Sequence, residues 1–540
     1  MSSTPNDETG PDSSTTTTAT SATFLGLHMS SVLMLAAILA ITLHLVRQMH
    51  LSREYPPGPR GFPFLGYLYV LGSPDKRKLF AELRDQHGDI FSFNLGCRLV
   101  VVVNGFEAMK QVFVQQGNSF LDRPQVFTFT HVGQGKGLVN SSGEVWKEHR
   151  KFTLNTLRSL GIGKSSFAEK VQEELTAFCN ILDNTESRDF DPGNAIQTAI
   201  ANIICSIAFG TRFDYDDPMF VRFLQIFDEN MSISGGTALL NFFPVLQHMP
   251  GDMFKSRRVL KNVEYVQSYL RTWLDNAKKR FDRENVNDLI DSYFKEMEEK
   301  NSNKTFSYDQ LLKLVGDLLV GGTETTGTTL RWVIIFLVRW PHVQRKLRQE
   351  IDTVYPEKET PTVQDRRRMP YMEATILESQ RFADIAPFSV THTASEDVEV
   401  GGKVIPKGSI IIPNIHSVHH DPELWGDHDD FRPERFLDAN GEIVRPDYLI
   451  PFFMGKRSCP GEGLARMELF QFIATILQRY EIRSAGKGSL PGLKGHVGIT
   501  FTPFPYNVRF VRRDLPPPEE EEEEGEGAEK AEESNKSDKK

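Results

Sequence analysis

The chain has 540 residues, four cysteines and a formal net charge of −10. Its cysteines, Cys97, Cys179, Cys205 and Cys459, are scattered without a C-x-x-C pair, so neither a disulfide scaffold nor a structural zinc site is expected, and a reducing compartment is. Most of the charge sits in the tail: from Asp514 onward there are twelve acidic residues and four lysines, which leaves about −2 on everything before it, and no nucleic-acid partner is expected.

Residues 1–23 are polar and Ser/Thr-rich and are expected to be disordered. The stretch FLGLHMSSVLMLAAILAITLHLV (24–46) contains no Lys, Arg, Asp or Glu. As a helix it reaches roughly 34 Å, enough for a hydrocarbon core of about 30 Å. Asp7, Glu8 and Asp12 precede it, and Arg47, Arg53 and Arg60 follow. That asymmetry predicts a single transmembrane anchor with its C-terminal side in the cytosol. Pro56, Pro57, Pro59 and Pro63 then make 47–66 a stiff extended hinge.

The body, 67–513, reads as mainly helical with small strands. LVVVVNG (99–105) is β-branched and ends in a turn signal. One proline-free helix is predicted over 307–340, with Ser307 as N-cap and Pro341 as stop. Its centre is weak and polar, Gly321-Gly322 followed by Thr323 to Thr326, which suggests a ligand lying across it. A packing notch for another helix is the competing explanation. VEVGGKVIPKGSIIIPNI (398–415) reads as short strands broken by Gly and Pro. The tail, 514–540, has no aromatic residue and is expected to stay disordered.

Cys459 lies between Arg457 and Pro460, with Gly461 and Gly463 just beyond. Proline suits a first helical turn, and helix-end amides with nearby Lys456 and Arg457 are expected to lower a thiol's pKa. A thiolate so placed is a soft metal ligand, although free cysteine is often inert core.

FFMGKRSCPG (452–461) resembles the haem-binding signature F-x-x-G-x-R-x-C-x-G of the cytochrome P-450 family, with Phe452, Gly455, Arg457, Cys459 and Gly461 in register. GGTETT (321–326), ESQR (378–381), PERF (433–436) and WKEHR (146–150) resemble further motifs of that family, in its order. The likeness runs over about 55–513 and is nearest to the microsomal drug- and steroid-metabolising branch and its invertebrate relatives.

The resemblance implies the P-450 fold behind one N-terminal anchor, and haem b as cofactor. Cys459 would be the iron ligand. Phe452, Gly461, Trp146, Arg150, Arg123, His392 and Arg457 would contact the haem, the cations through its propionates. Thr325 and Glu324 would deliver protons. Glu378, Arg381 and Arg435 would form a structural ion cluster. Phe127, Phe129, Val320, Gly321, Ala386, Ser389 and Val390 would line an apolar substrate pocket. Electrons would come from NADPH through a flavoprotein reductase, with cytochrome b5 as a second donor, at the endoplasmic reticulum membrane. Lys147, Lys151 and Lys456 are expected to form the reductase-docking patch. Met454, Gly321 and Gly327 depart from the residues usual at those positions. The rival classes are a haem-thiolate isomerase or dehydratase that needs no external electrons, and a non-catalytic haem-binding protein.

Overall fold

A helix of 32 residues, α3 in the order used below, runs through the middle of the molecule. In the computed structural model, residues 32–36, 38–43, 54–161, 165–299, 305–486 and 489–514 are described. Five helices frame the interior: α1 (Gly143–Ser159), α2 (Gly193–Ala208), α3 (Tyr308–Arg339), α4 (Pro370–Ala383) and α5 (Glu462–Arg479). The boundaries of α3 follow its end residues. Ser307 has extended backbone and accepts from the Gln310 amide, and Pro341 opens the next helix. At about 1.5 Å per residue α3 spans roughly 48 Å.

Among the described residues, ten short strands flank the helices. β1 (Ile90–Leu95) and β2 (Arg98–Val103) form a hairpin. β3 (His392–Thr393), β4 (Val398–Val400), β5 (Lys403–Ile405) and β6 (Ile410–Pro413) follow α4. β6 lies parallel to β2, with Val101 opposite Ile411, and β3 closes the sheet antiparallel to β6. β4 pairs with β5 alone. β7 (Tyr480–Ser484) pairs antiparallel with β10 (Val508–Arg512), and β8 (Gly495–Val497) with β9 (Phe501–Pro503). The runs 99–105 and 398–415 thus become strands. The chain is mainly α with small sheets, as expected.

The proline-rich segment is extended but does not stand clear of the body. Ser92 donates its amide to the Pro57 carbonyl at 2.7 Å and its hydroxyl to the Pro56 carbonyl at 2.6 Å. Tyr67 donates to Asn94 at 2.7 Å, so the segment lies along the free edge of β1. Gly58 is required there, because a Cβ would collide with the Ser92 carbonyl.

Of the expected anchor, 32–36 and 38–43 are described. Both pieces are helical and their aliphatic side chains are exposed. The rest of 24–46, the N-terminal 1–23 and the tail beyond Asp514 lie outside the described residues. Among the described residues no helix is long and apolar enough to cross a membrane.

Candidate active site

Cys459 closes a loop that leads into α5. Its amide donates to the Phe452 carbonyl at 2.9 Å. Gly455 turns the loop at φ +71°, where a Cβ would strike the Phe113 carbonyl. The sulfur is surrounded by protein yet open to a cavity of about 350 Å³. Burial pushes its pKa up, against the amides of Gly461 and Glu462 and the charge of Arg150, which pull it down. The expected depressed thiol is therefore corrected. The cations and helix-end amides are present, but desolvation outweighs them while no ion neutralises the thiolate. The amides acting on the sulfur come from the start of α5 and not from the turn at Gly455.

Three guanidiniums gather beside this loop. Arg150 donates to the Ser458 carbonyl at 2.7 Å. Arg457 donates to the carbonyls of Leu121 at 2.9 Å, Ser141 at 2.7 Å and Leu138 at 3.3 Å, and stacks 4.1 Å over the Trp146 ring. Arg123 donates to the Val139 and Thr391 carbonyls at 3.0 and 2.7 Å. Among the described residues none of the three has a carboxylate in hydrogen-bond contact. Burial pushes Arg123 down to about 9, offset in part by Asp317, and pushes Arg457 down to about 8, with Arg123 and Arg150 adding repulsion and Asp122 acting the other way. Arg150 is lowered by burial too. Converging buried cations without anions call for a ligand that carries negative charge. Together with one thiol and apolar walls, this donor set fits an iron porphyrin with its two carboxylates.

The loop bearing those carbonyls is pinned from α3. Asp317 Oδ2 accepts from the amides of Leu138 at 2.6 Å and Val139 at 2.8 Å. Burial pushes Asp317 up to about 6, offset by those amides and by Lys313 and Arg123. Asp317 also lies on the cavity wall, in one i, i+4 row with Gly321, Thr325 and Thr329.

The two central glycines of α3 divide the competing explanations between them. A Cβ at Gly321 would meet nothing within 4 Å, so this glycine opens the cavity. A Cβ at Gly322 would collide with the Ile204 side chain, so this one is the notch into which α2 packs. Thr325 faces the cavity, and its hydroxyl donates to the Gly321 carbonyl at 2.6 Å. Glu324 turns away from the wall. Its Oε1 accepts from Thr500 at 2.7 Å and from Thr502 and Thr328 at 3.3 Å. Thr500 itself lies on the wall.

Glu378, Arg381 and Arg435 meet as expected. Arg381 contacts Glu378 at 2.7 Å with both side chains 0% exposed, and Arg435 reaches the same carboxylate at 3.0 Å. Spare donors of the two arginines go to carbonyls of His419, His428 and Asp430.

Phe452, Trp146, Gly461, Ala386, Ser389 and Val390 are on the wall. His392, Phe127, Phe129 and Val320 are not. His392 is wedged between Phe113 and Phe453 and bonds the Phe120 carbonyl through Nδ1 at 2.6 Å. Burial, with Arg123 nearby, holds it well below the usual imidazole range and thus neutral. Phe127 stacks on His131, and Phe129 joins the apolar cluster around β1 and β2. Lys147 is exposed and paired with Glu144, and Lys456 donates to Asn118.

Sequence reading missed Asp317, Thr326, Thr500 and Glu468, all on the wall. The i, i+4 row through Gly321 and Thr325 leads back to Asp317. The i+7 step along α5 from Gly461 leads to Glu468. Thr500 is remote in sequence and carries no such signal.

Comparison with known proteins agrees with this geometry. The family model described as cytochrome P450 matches residues 56–510. Cytochrome P450 18a1 of Drosophila melanogaster is 36% identical over 496 residues, covering 89% of this chain and 91% of that protein. Human cytochrome P450 2U1 is 36% identical, covering 86% and 90%. Cytochrome P450 2C25 of Mesocricetus auratus is 38% identical, covering 84% and 94%. A cavity that sets a lone sulfur below a glycine-notched helix and beside unneutralised guanidiniums is what a haem-thiolate monooxygenase requires, and this chain belongs to the cytochrome P450 family.

Proposed function

We propose that the protein inserts one atom of O2 into an apolar small molecule of the steroid, fatty-acid or xenobiotic kind. Electrons come from NADPH through a membrane-bound flavoprotein reductase, with cytochrome b5 as a second donor. The enzyme works at the endoplasmic reticulum membrane with its catalytic body in the cytosol. The observation that carries the substrate class is the upper cavity wall, built from Ile204, Ile207, Ala208, Leu318, Ile385 and Val390. Such a wall rewards apolar surface and offers few polar anchors.

When bound, haem supplies an electron-rich, thiolate-held iron that favours O–O cleavage. The side chains do the rest. Cys459, as thiolate, would hold the iron, with Phe452 and Gly461 beside it. Arg123, Arg150 and Arg457 hold the two propionates, which relieves the desolvation that depresses them. Trp146 keeps Arg457 in place by stacking. Thr325 turns its hydroxyl from the Gly321 carbonyl toward the cavity and passes a proton inward. Glu324 resupplies that proton through Thr500, which touches both the carboxylate and the cavity. Lys147 and Lys151 lie on the helix that carries Arg150 against the ligand loop, and with Lys456 they present positive charge to an acidic reductase.

The test uses the purified full-length chain with haem. Reduced and treated with carbon monoxide, it gives the red-shifted Soret band of thiolate ligation, and Cys459→Ala abolishes that band. With NADPH and reductase it oxidises members of a panel of steroids, fatty acids and drug-like compounds. Turnover without NADPH would point to the isomerase class, and a colourless protein would remove the reading altogether.

A further inference from the structure

The segment NIHSVHHDPELWGDHDD (414–430) holds four histidines, and none faces the haem cavity. Their shared partner is Asp384, the left-handed cap residue of α4 at φ +44°. Its Oδ2 accepts from His416 Nδ1 at 2.9 Å and its Oδ1 from His419 Nδ1 at 3.1 Å. His419 is fully used, because its Nε2 also accepts the Ile450 amide at 3.1 Å. His416 is 21% exposed, and its ring lies 4.4 Å from that of His420. His420 is largely enclosed, yet neither of its ring nitrogens makes a hydrogen bond among the described residues. One donor atom each from Asp384, His416 and His420 lies within 4.8 Å of the others.

A second trio, His420, His428 and Asp429, shares His420 and leads outward. Asp429 is 87% exposed. His428 Nδ1 lies 3.1 Å from Asp429 Oδ1 but is not aligned for a hydrogen bond, so it is left without one. Two overlapping trios thus run from solvent to a buried carboxylate.

We propose that Asp384, His416 and His420 bind one transition-metal ion of the Zn(II) class, loaded from solvent past Asp429 and His428. The ion replaces the proton between His416 Nδ1 and Asp384 Oδ2, and His416 moves to its Nε2–H tautomer. His420 becomes the third ligand and water the fourth. Two nitrogens and a carboxylate oxygen suit zinc, and an i, i+4 histidine pair is a common way to present them. With metal–ligand bonds of about 2.0–2.2 Å the donors of a tetrahedral ion stand roughly 3.4 Å apart, so the 2.9 Å pair of His416 Nδ1 and Asp384 Oδ2 opens slightly while His420 closes on it. His419, bonded to the other Asp384 oxygen, stands where an orienting outer partner is needed.

Electrostatics prepare the donors. Burial alone would raise Asp384, but the bonds from His416 and His419 hold it below the usual carboxylate range, hence ionised. Burial, then His416, Arg381 and His419, keep His420 well below its usual value, hence neutral, with Asp384 acting the other way. Arg381 is already neutralised by Glu378. Ionised carboxylate and neutral imidazole are the metal-binding forms. The expectation against structural zinc rested on cysteine spacing and did not weigh histidines.

The full-length holoenzyme, washed with EDTA and dialysed, is titrated with ZnCl2 by calorimetry. One saturable equivalent is expected. Its affinity falls at least tenfold in His416→Gln and in His420→Ala, and is unchanged in His87→Ala, a distant control. Zinc-edge X-ray absorption on the loaded wild type should show imidazole scattering. Absence of saturable binding, wild-type affinity in the two ligand variants, or an oxygen-only zinc shell overturns the proposal. If His420→Ala does not fold, His416→Gln, at the less enclosed ligand, decides alone.

Discussion

Glu468 sits on the cavity wall with both carboxylate oxygens lacking a hydrogen-bond partner. Burial pushes it up to about 8 from 4.5, and Thr326 offsets this only in part. Between those values the folded state holds a proton that the unfolded state has released. The penalty from Glu468 is therefore absent below about pH 4.5, grows as pH rises through that window, and levels off above about pH 8. At its full extent it is on the order of 5 kcal/mol. Glu468→Gln keeps the shape and removes the titration, so it should raise the unfolding midpoint clearly at pH 8 and hardly at pH 5. A gain equal at both pH values would show that Glu468 does not titrate in this window. Thr500 carries a second expectation at the same scale. Thr500→Val cuts the link between Glu324 and the cavity, so product formed per NADPH should fall severalfold while the carbon monoxide band persists. The identities of Cys459, Arg150 and Arg457 were legible because their spacing is local. The direction of the thiol's shift was not, because desolvation depends on what the rest of the chain packs around it.

Along α3 two adjacent glycines answer to different physics. Gly321→Ala gains about 1 kcal/mol of helix propensity and meets no protein atom within 4 Å. It should leave the melting temperature equal or higher and weaken the binding of bulky apolar ligands, read as a smaller spin-state shift. Gly322→Ala drives a methyl into Ile204, 2.8 Å from its Cγ1. Overpacking of that kind costs about 1–3 kcal/mol. The double variant Gly322→Ala/Ile204→Val should recover part of the loss if α2 packing is the cause. The length and ends of α3 were legible from Ser307, Pro341 and the absence of proline between them. The two glycines looked alike in sequence because only the approach of α2 separates them. The same limit explains Phe129 and Glu324: residue type suits each for the cavity, and segments distant in sequence, β1 and β2 for one and Thr500 with Thr502 for the other, hold each elsewhere. The described part of the proline-rich segment lies against β1. Its docking on β1 depends on an unpaired sheet edge, which composition does not reveal.

Across the whole molecule the ion cluster and the ligand loop form one mechanical unit. Arg381 and Arg435 share Glu378 and hold the carbonyls of His419, His428 and Asp430. His419 in turn accepts the Ile450 amide, and Ile450 lies two residues before Phe452, whose carbonyl closes the loop on Cys459. Two links of the path from α4 toward the sulfur, Arg381 to the His419 carbonyl and the Ile450 amide to His419, are buried hydrogen bonds, costly to break because no water replaces them. Arg435→Leu leaves part of the Glu378 charge uncompensated, at about 3–5 kcal/mol. No atom of Arg435 lines the cavity, so any effect on haem must pass through this path. The expected result is a melting temperature several degrees lower and a haem content well below one per chain, restored in part when Glu378→Gln is added to neutralise the stranded charge. Normal haem content in a destabilised Arg435→Leu protein would separate the cluster from the loop and confine its role to general stability.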